Sequence, residues 1–314
     1  MALSALRQEM GRNGLGGSEV AAAIGLHPYK SPVQLAAEKL GLVEPFAGND
    51  ATDLGIAMEP VIVGLYTKRE RIPDFDITST EPVPHPTAPH IFATPDRMRL
   101  VGPKKWIPVE IKTANARVAH RWGPTETDEV PEEYLIQVQV QMACTQASRA
   151  DLVVLLGGSE LRIYHLDADA ELQHEVIDAA ENFWTRYVAR GELPPVDGSE
   201  SASEYLKRRF PRDTRPLLPA TTEALAIADR LREAKAARVQ AETAETEAEN
   251  ELKAMIGDAA GIEGVATWKA SKASKKTDWE AVVKVLNPDA ALLAKFTTEK
   301  PGFRRFVLKS TPKE

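Results

Sequence analysis

Within Val109-Glu110-Ile111-Lys112 a carboxylate and an ammonium stand two residues apart in otherwise apolar surroundings. Strand side chains alternate, so Glu110 and Lys112 share one face while Val109 and Ile111 point into a core on the other. Burying a carboxylate beside an ammonium is costly unless each has a partner or a task. The first candidate partner is Asp96. If two strands form a hairpin whose midpoint is Pro103, paired residues have numbers summing to 206, and Asp96 falls opposite Glu110. Directly opposed Cβ atoms lie roughly 4.5–5.5 Å apart. Two like charges that close repel unless a cation lies between them, and hard divalent cations take oxygen ligands. The pattern offers half of a metal site with a lysine beside it. Pro95 and Pro108 each remove a ladder donor and mark where a bulge can break the register.

The elements that must position these groups follow from local patterns. Residues 91–96 read as a strand, 102–105 as a turn and 106–112 as the strand carrying Glu110 and Lys112. Residues 50–69 read as a helix with Leu54, Met58, Val61, Ile62 and Leu65 along one side. Glu59 stands just before Pro60, whose ring and missing amide disturb the preceding turn. A carboxylate there is a candidate functional group, although a surface glutamate is the commoner case. Residues 131–144 read as a helix with Tyr134, Gln137 and Gln141 on one face, turned to water or to a substrate. Arg12 and the glycine-rich stretch up to Gly17-Ser18-Glu19 lead into a helix with Ser18 as its cap. Such an end beside an arginine can hold a phosphate, while spacing alone describes an ordinary helix start. Ser31-Pro32 opens a further helix, residues 150–156 and 160–166 read as a hairpin, and residues 173–190 as an amphipathic helix with Ile177, Phe183, Trp184 and Val188 inward. His85 and His90, in a proline-rich loop, read as solvated residues rather than a metal pair.

The chain of 314 residues is 43% hydrophobic and 27% charged, the balance of a globular protein with room for one large domain and a smaller one. No apolar run is long enough to cross a bilayer and residues 1–11 lack a signal-peptide core, so a cytoplasmic location is expected. One cysteine, Cys144, excludes an internal disulfide and a cysteine-based zinc cluster. A net charge of −7 disfavours coating nucleic acid with the whole surface. Residues 269–313 nevertheless hold eleven Lys or Arg against four Asp or Glu, and residues 207–212 add a basic cluster. The expected division is a core at 1–200, a basic, proline-containing linker at 201–220, an alanine-rich helical arm at 221–260 and a small basic α/β subdomain at 261–314. In the last, residues 265–269 and 303–309 read as strands flanking a helix that opens at Thr277-Asp278-Trp279-Glu280 as a capping box. This basic tail contacts phosphates or forms a solvated face; composition admits both.

Pro95-Asp96 followed by Glu110-x-Lys112 resembles the PD-(D/E)xK signature of restriction-endonuclease-like nucleases. Around it stand Arg12, Gly17-Ser18-Glu19, Pro28-Tyr29, Gly55 with Glu59-Pro60, Thr113, Pro131 with Tyr134 and Gln137, and Phe183-Trp184. This ordered set, across residues 10–197, resembles the YqaJ-type viral recombinase family, whose relatives include the lambda-type phage exonucleases. The resemblance implies an α/β (α+β) fold: a restriction-endonuclease-like core of a mixed central sheet flanked by helices, followed by the helical arm and basic tail. It implies a 5′-to-3′ exonuclease on double-stranded DNA ends, catalytic Mg²⁺ with Mn²⁺ as a substitute, a homotrimer, and a single-strand annealing protein as partner. Carried over by residue, Asp96 and Glu110 are metal ligands, Glu59 is a further acidic residue, and Lys112 orients or activates the attacking water. Gln137 supports the site, and Arg12, Ser18 and Tyr134 contact DNA or its 5′-phosphate. Two alternatives keep the same motif: a structure-specific or restriction-like endonuclease, and a DNA-end binding module whose nuclease site has decayed. The joint presence of Glu59, Asp96, Glu110 and Lys112 argues against decay.

Overall fold

The computed structural model describes residues 5–300 and 302–309, in two compact units that divide after Phe210. The first opens with helix α1 (Ala5–Asn13), strand β1 (Leu15–Gly16) and helices α2 (Gly17–Ala23), α3 (Pro32–Lys39) and α4 (Asp50–Glu70). The Ser31 side chain caps α3 by accepting from the Gln34 amide, with Pro32 at the first helical position, and Asn49 caps α4 through the Thr52 amide. Short strands β2 (Ile77–Thr78), β3 (Val83–Pro84) and β4 (Ile91–Ala93) precede the hairpin of β5 (Arg97–Gly102) and β6 (Lys105–Ala114). Helix α5 (Glu132–Thr145), strands β7 (Arg149–Leu156) and β8 (Glu160–Asp167), helix α6 (Ala170–Phe183) with a π-helical turn at Trp184–Val188, and helix α7 (Glu200–Arg209) complete the unit.

Five strands form the central sheet in the order β2-β5-β6-β7-β8; β6 and β7 run parallel, the other pairs antiparallel. Antiparallel neighbours need only a turn, whereas the parallel pair needs a crossover, which α5 supplies. Alternation divides β6 as expected. Val109 and Ile111 join Ile62 and Tyr66 of α4 and Val153 and Leu155 of β7 in one apolar cluster. On the other face Leu152, Val154 and Leu156 meet Val138 and Met142 of α5. Strand β7 is thus covered on both sides, which is why its sequence is a nearly unbroken apolar run. Beyond α5, its residues Ile136, Val140 and Cys144 pack with Val20 and Ala21 of α2 and with Phe183 and Trp184.

A mixed sheet with helices on both faces is therefore present, and the hairpin keeps the expected register. Arg97 through Leu100 pair with Val109 through Trp106, each pair summing to 206, until a shift between Leu100 and Gly102. The first strand differs from the expectation. Residues 91–93 belong to a separate small sheet, β1-β4-β3, and Arg97–Gly102 forms the hairpin arm. The strands divide around Pro95, which has no amide to donate. The buried side of α4 also differs. Leu54, Val61 and Leu65 are exposed, while Ile62 and Tyr66 are buried, because the row at spacing four that ends in the Tyr66 ring is the one that meets the sheet. Residues 201–209 are not linker: Ala202 and Tyr205 of α7 pack on Val33 and Ala37 of α3, and the Ser201 hydroxyl donates to Gln34.

The second unit holds α8 (Thr222–Ile256), the hairpin of β9 (Gly261–Ile262) and β10 (Ala266–Thr267), α9 (Trp279–Leu286) and α10 (Ala290–Phe296). Asp278, not Thr277, caps α9 by accepting from the Ala281 amide, which also sets a negative charge at the positive helix end. Among the described residues, 303–309 form no strand, having no strand alongside to take up their amides, and the strand expected at 265–269 is confined to Ala266–Thr267. Lys313 lies outside the described residues.

Candidate active site

Asp96 stands one residue ahead of β5, so the register of the hairpin continues it to Glu110. Its Oδ2 accepts a 2.8 Å hydrogen bond from the Ile111 amide. Burial and the neighbouring charge of Glu110 push its pKa up to about 7, against the opposing pull of Lys112 and the Ile111 amide. Glu110 itself is buried, with both carboxylate oxygens hydrogen-bonded. Its Oε1 accepts from Lys112 Nζ at 2.5 Å and from Gln137 Nε2 at 2.6 Å, and its Oε2 from Gln141 Nε2 at 2.6 Å. Residues four apart share a helix face, which is how α5 delivers both glutamines to one carboxylate. Burial lowers the pKa of Lys112, but Glu110 and Asp96 outweigh it and raise the value, so the group stays an ammonium. Its Nζ also lies 5.1 Å from the centre of the Tyr134 ring.

Asp96, Glu110, Lys112, Gln137, Gln141 and Tyr134 line one cleft of about 840 Å³, together with Ser18, Lys30 and Glu59. Glu59 shares the cleft, yet its Oε1 accepts from Arg97 Nη1 at 2.6 Å. Among the described residues, no group of three or more His, Cys, Asp or Glu is arranged to hold a metal ion. The fold brings Asp96 and Glu110 together and pairs Glu59 with Arg97. Two further buried atoms lining the cleft, Thr94 Oγ1 and Gln141 Oε1, make no hydrogen bond within the protein and are available to a bound group.

The N-terminal candidates fall differently. Ser18 lines the cleft but is not the cap of α2; that place belongs to Gly16, whose amide is taken by the Glu19 carboxylate at 3.0 Å. The Glu19 carboxylate, three residues into the helix, supplies one half of a reciprocal cap by taking the cap residue's own amide; Gly16 has no side chain to supply the other half. Arg12 is exposed in the last turn of α1 and does not line the cleft. Of the glycines in this stretch, Gly14 is required by packing. A Cβ on Gly14 would stand 2.5 Å from the His90 carbonyl oxygen, the same atom that accepts from the Leu15 amide at 2.7 Å. His85 accepts from the Thr87 and Ala88 amides, and His90 pairs with Glu181 at 2.8 Å while stacking on Trp184.

Sequence reasoning passed over a second polar cluster. Asp151 interrupts the apolar run of β7, the same signal that singled out Glu110. It is fully buried and accepts from the Tyr66 hydroxyl, from Arg99 Nη1 at 2.7 Å and from Arg149 Nη2 at 3.4 Å, with His165 Nδ1 at 2.6 Å. Burial by itself raises its pKa; the hydrogen bonds from His165, Tyr66 and Arg99 outweigh that and bring it to about 2. This cluster ties α4, β5, β7 and β8 together on the sheet face opposite Glu110.

Residues 8–148 match the model of the YqaJ-like viral recombinase domain, the family that the ordered motifs resemble. The uncharacterized protein YqaJ of Bacillus subtilis is 32% identical over 209 residues, which cover 63% of this chain and 61% of that protein. The chain thus spans about three fifths of the length of this curated relative. Among solved structures, an alkaline exonuclease from Laribacter hongkongensis is similar with a TM-score of 0.46 and 24% identity, covering 64% of this chain and 97% of that one. A phage related exonuclease from Haemophilus somnus has a TM-score of 0.42 and 16% identity, covering 57% and 96%.

Proposed function

We propose that this chain, with a YqaJ-like viral recombinase domain at residues 8–148, is a metal-dependent exonuclease that degrades double-stranded DNA from its ends. In this reading it proceeds 5′-to-3′ and leaves 3′ overhangs for a single-strand annealing protein. The observation that carries the reading is the meeting of Asp96 and Glu110 across the β5–β6 hairpin, with Lys112 bonded to Glu110.

Two crowded carboxylates form a pair short of positive charge, and their hard oxygens suit Mg²⁺, with Mn²⁺ as a substitute. Asp96 and Glu110 would hold the ion; Mg²⁺ commonly uses one or two carboxylates together with waters and phosphate oxygens, so this donor set fits it. When bound, the ion supplies Lewis-acid stabilisation of charge developing on phosphorus and lowers the pKa of a bound water. Lys112 contributes a charged donor that orients water or a phosphate oxygen without competing for the metal. Gln137 and Gln141 hold the Glu110 carboxylate in place, leaving Gln141 Oε1 to accept from a further group in the cleft. For Glu59 to act as an additional acidic ligand, its pair with Arg97 must open. Ser18 and Tyr134, both on the cleft, contact the DNA end, and Arg12 offers a surface cation to its 5′-phosphate. A homotrimer closed around the duplex is the assembly that goes with processive digestion, and light scattering tests it.

The deciding experiment is a digestion time course in Mg²⁺ on linear duplexes labelled at either end, with and without 5′-phosphate, beside a covalently closed circle. Early loss of 5′ label, a surviving 3′-labelled strand and an intact circle are expected. Cleavage of the circle replaces this reading with an endonuclease. DNA binding without cleavage in Mg²⁺ or Mn²⁺ replaces it with a DNA-end binding module.

A further inference from the structure

The second unit carries an arrangement that cleavage at the Asp96–Glu110 site does not use. From Trp268 to Lys309 there are ten Lys or Arg against four Asp or Glu, in a chain whose net charge is −7. In the same stretch large aromatic rings are left in solvent: Trp279 is 70% exposed, Phe296 82%, Phe303 86% and Phe306 77%. Helix α9 buries none of its residues, and Val283 and Leu286 are exposed with Trp279. Phe303, Arg304, Arg305 and Arg212 line one shallow pocket, with Asp213 as its acidic member.

Rings and cations alternate here. Phe303-Arg304-Arg305-Phe306 places two guanidinium groups between two rings, and Lys295-Phe296 and Lys276 to Trp279 repeat the neighbourhood. An unpartnered apolar patch by itself would suit many occupants. Single-stranded nucleic acid requires this particular mixture, because every nucleotide presents one π-face for a ring and one phosphate for a cation. A duplex hides its base faces in the stack, and an acidic protein would use the cations but leave the rings without a counterpart. Acidic balance elsewhere in the chain repels a polyanion, which makes this stretch the favoured place for one.

We propose that the basic, aromatic-bearing tail at residues 268–309 is a binding surface for single-stranded DNA, using exposed Trp279, Phe296, Phe303 and Phe306 as stacking platforms and Arg304 and Arg305 as phosphate contacts. None of these residues is among those lining the carboxylate cleft, and the binding of single strands does not depend on whether that cleft cuts DNA.

The test uses the full chain in EDTA, so that hydrolysis cannot contribute, with fluorescein-labelled oligo(dT) as probe and anisotropy as readout. Phe303→Ala with Phe306→Ala should weaken oligo(dT) binding by roughly five- to a hundredfold for each ring lost. Arg304→Ala with Arg305→Ala should flatten the dependence of log affinity on log salt by about 0.7 for each phosphate contact removed. Oligo(dT) should quench tryptophan fluorescence, and Trp279→Phe should keep most of the affinity while losing most of the quenching. All substituted residues are exposed, and unchanged melting separates loss of binding from loss of fold. Affinity for oligo(dT) unchanged within about twofold in both double variants overturns the proposal, as does equal loss of affinity for a blunt duplex. A shift in sedimentation without a change in oligo(dT) affinity overturns it in favour of a protein interface.

Discussion

The Oδ2 of Asp96 accepts from the Ile111 amide at 2.8 Å, which fastens the residue ahead of β5 onto β6. That bond uses the backbone of the residue between Glu110 and Lys112, so the Asp96 carboxylate is held beside both charged side chains. Crowding of the two carboxylates follows from it, and so does the behaviour expected of the site with pH.

Asp96 ionises near 3.8 in the unfolded chain and at about 7 in the folded protein. The folded state binds this proton more tightly, so the stability it contributes is complete below the lower value and is lost as pH rises through the upper one. Thermal melting in EDTA should show a falling contribution between those limits, and Asp96→Asn should remove it. Because the metal takes the ionised pair, stabilisation by Mg²⁺ should grow over the same range, and initial cleavage rates should rise with it. Mg²⁺ stabilisation that is flat across this window would contradict the assignment.

Lys112→Ala removes the ammonium from Glu110 while leaving the rest of the cleft wall in place. Turnover should fall on the order of 10²–10³-fold, the usual consequence of losing one positioned donor. Binding of a blunt duplex in Ca²⁺ should survive. Wild-type cleavage by this variant would remove Lys112 from the chemistry.

Gln137 and Gln141 each donate to the buried carboxylate of Glu110. Truncating either to Ala should cost about 1–3 kcal/mol of folding stability, since a buried acceptor loses a partner. In a Glu110→Gln background the cost of Gln141→Ala should shrink, because a neutral amide needs less solvation than a carboxylate. Denaturant melts of the double-mutant cycle measure the coupling directly.

Asp151 faces the other side of the sheet, where Tyr66, Arg99 and His165 converge on it. Asp151→Ala should destabilise the chain by about 3–5 kcal/mol, leaving Arg99 without its buried counter-charge. Cleavage per folded molecule should stay near the wild-type rate. With a folded pKa of about 2 against 3.8 unfolded, this carboxylate stabilises the protein above the higher value and loses that effect as pH falls toward the lower. Acid unfolding should therefore be steeper in the wild type than in Asp151→Asn.

Much of the site was legible in the chain because strand and helix periodicities are local. Alternation set Glu110 and Lys112 on one face, and turn arithmetic around Pro103 set Asp96 opposite Glu110 in the register that the hairpin adopts. Spacing of three and four placed Tyr134, Gln137 and Gln141 together on α5, although periodicity could not say what that face would meet. Ser31 and Pro32 marked a helix start through capping chemistry that needs no distant partner. The small sheet β1-β4-β3 was not legible, since its short strands show too few alternations to be read.

By itself, then, the sequence determined that Glu110 and Lys112 share a face, that Tyr134, Gln137 and Gln141 share another, and the register about Pro103. The first hairpin strand lies at Arg97–Gly102 and not at 91–96. Only the tertiary structure decided that Glu59 pairs with Arg97, that two α5 glutamines hold Glu110, that Gly14 serves contact with His90, and that Asp151 gathers Tyr66, Arg99 and His165. Those contacts join residues far apart in the chain, and they depend on the sheet order and on which helix covers each face. Both are settled by long-range packing around the parallel β6–β7 crossover, for which local patterns carry no signal.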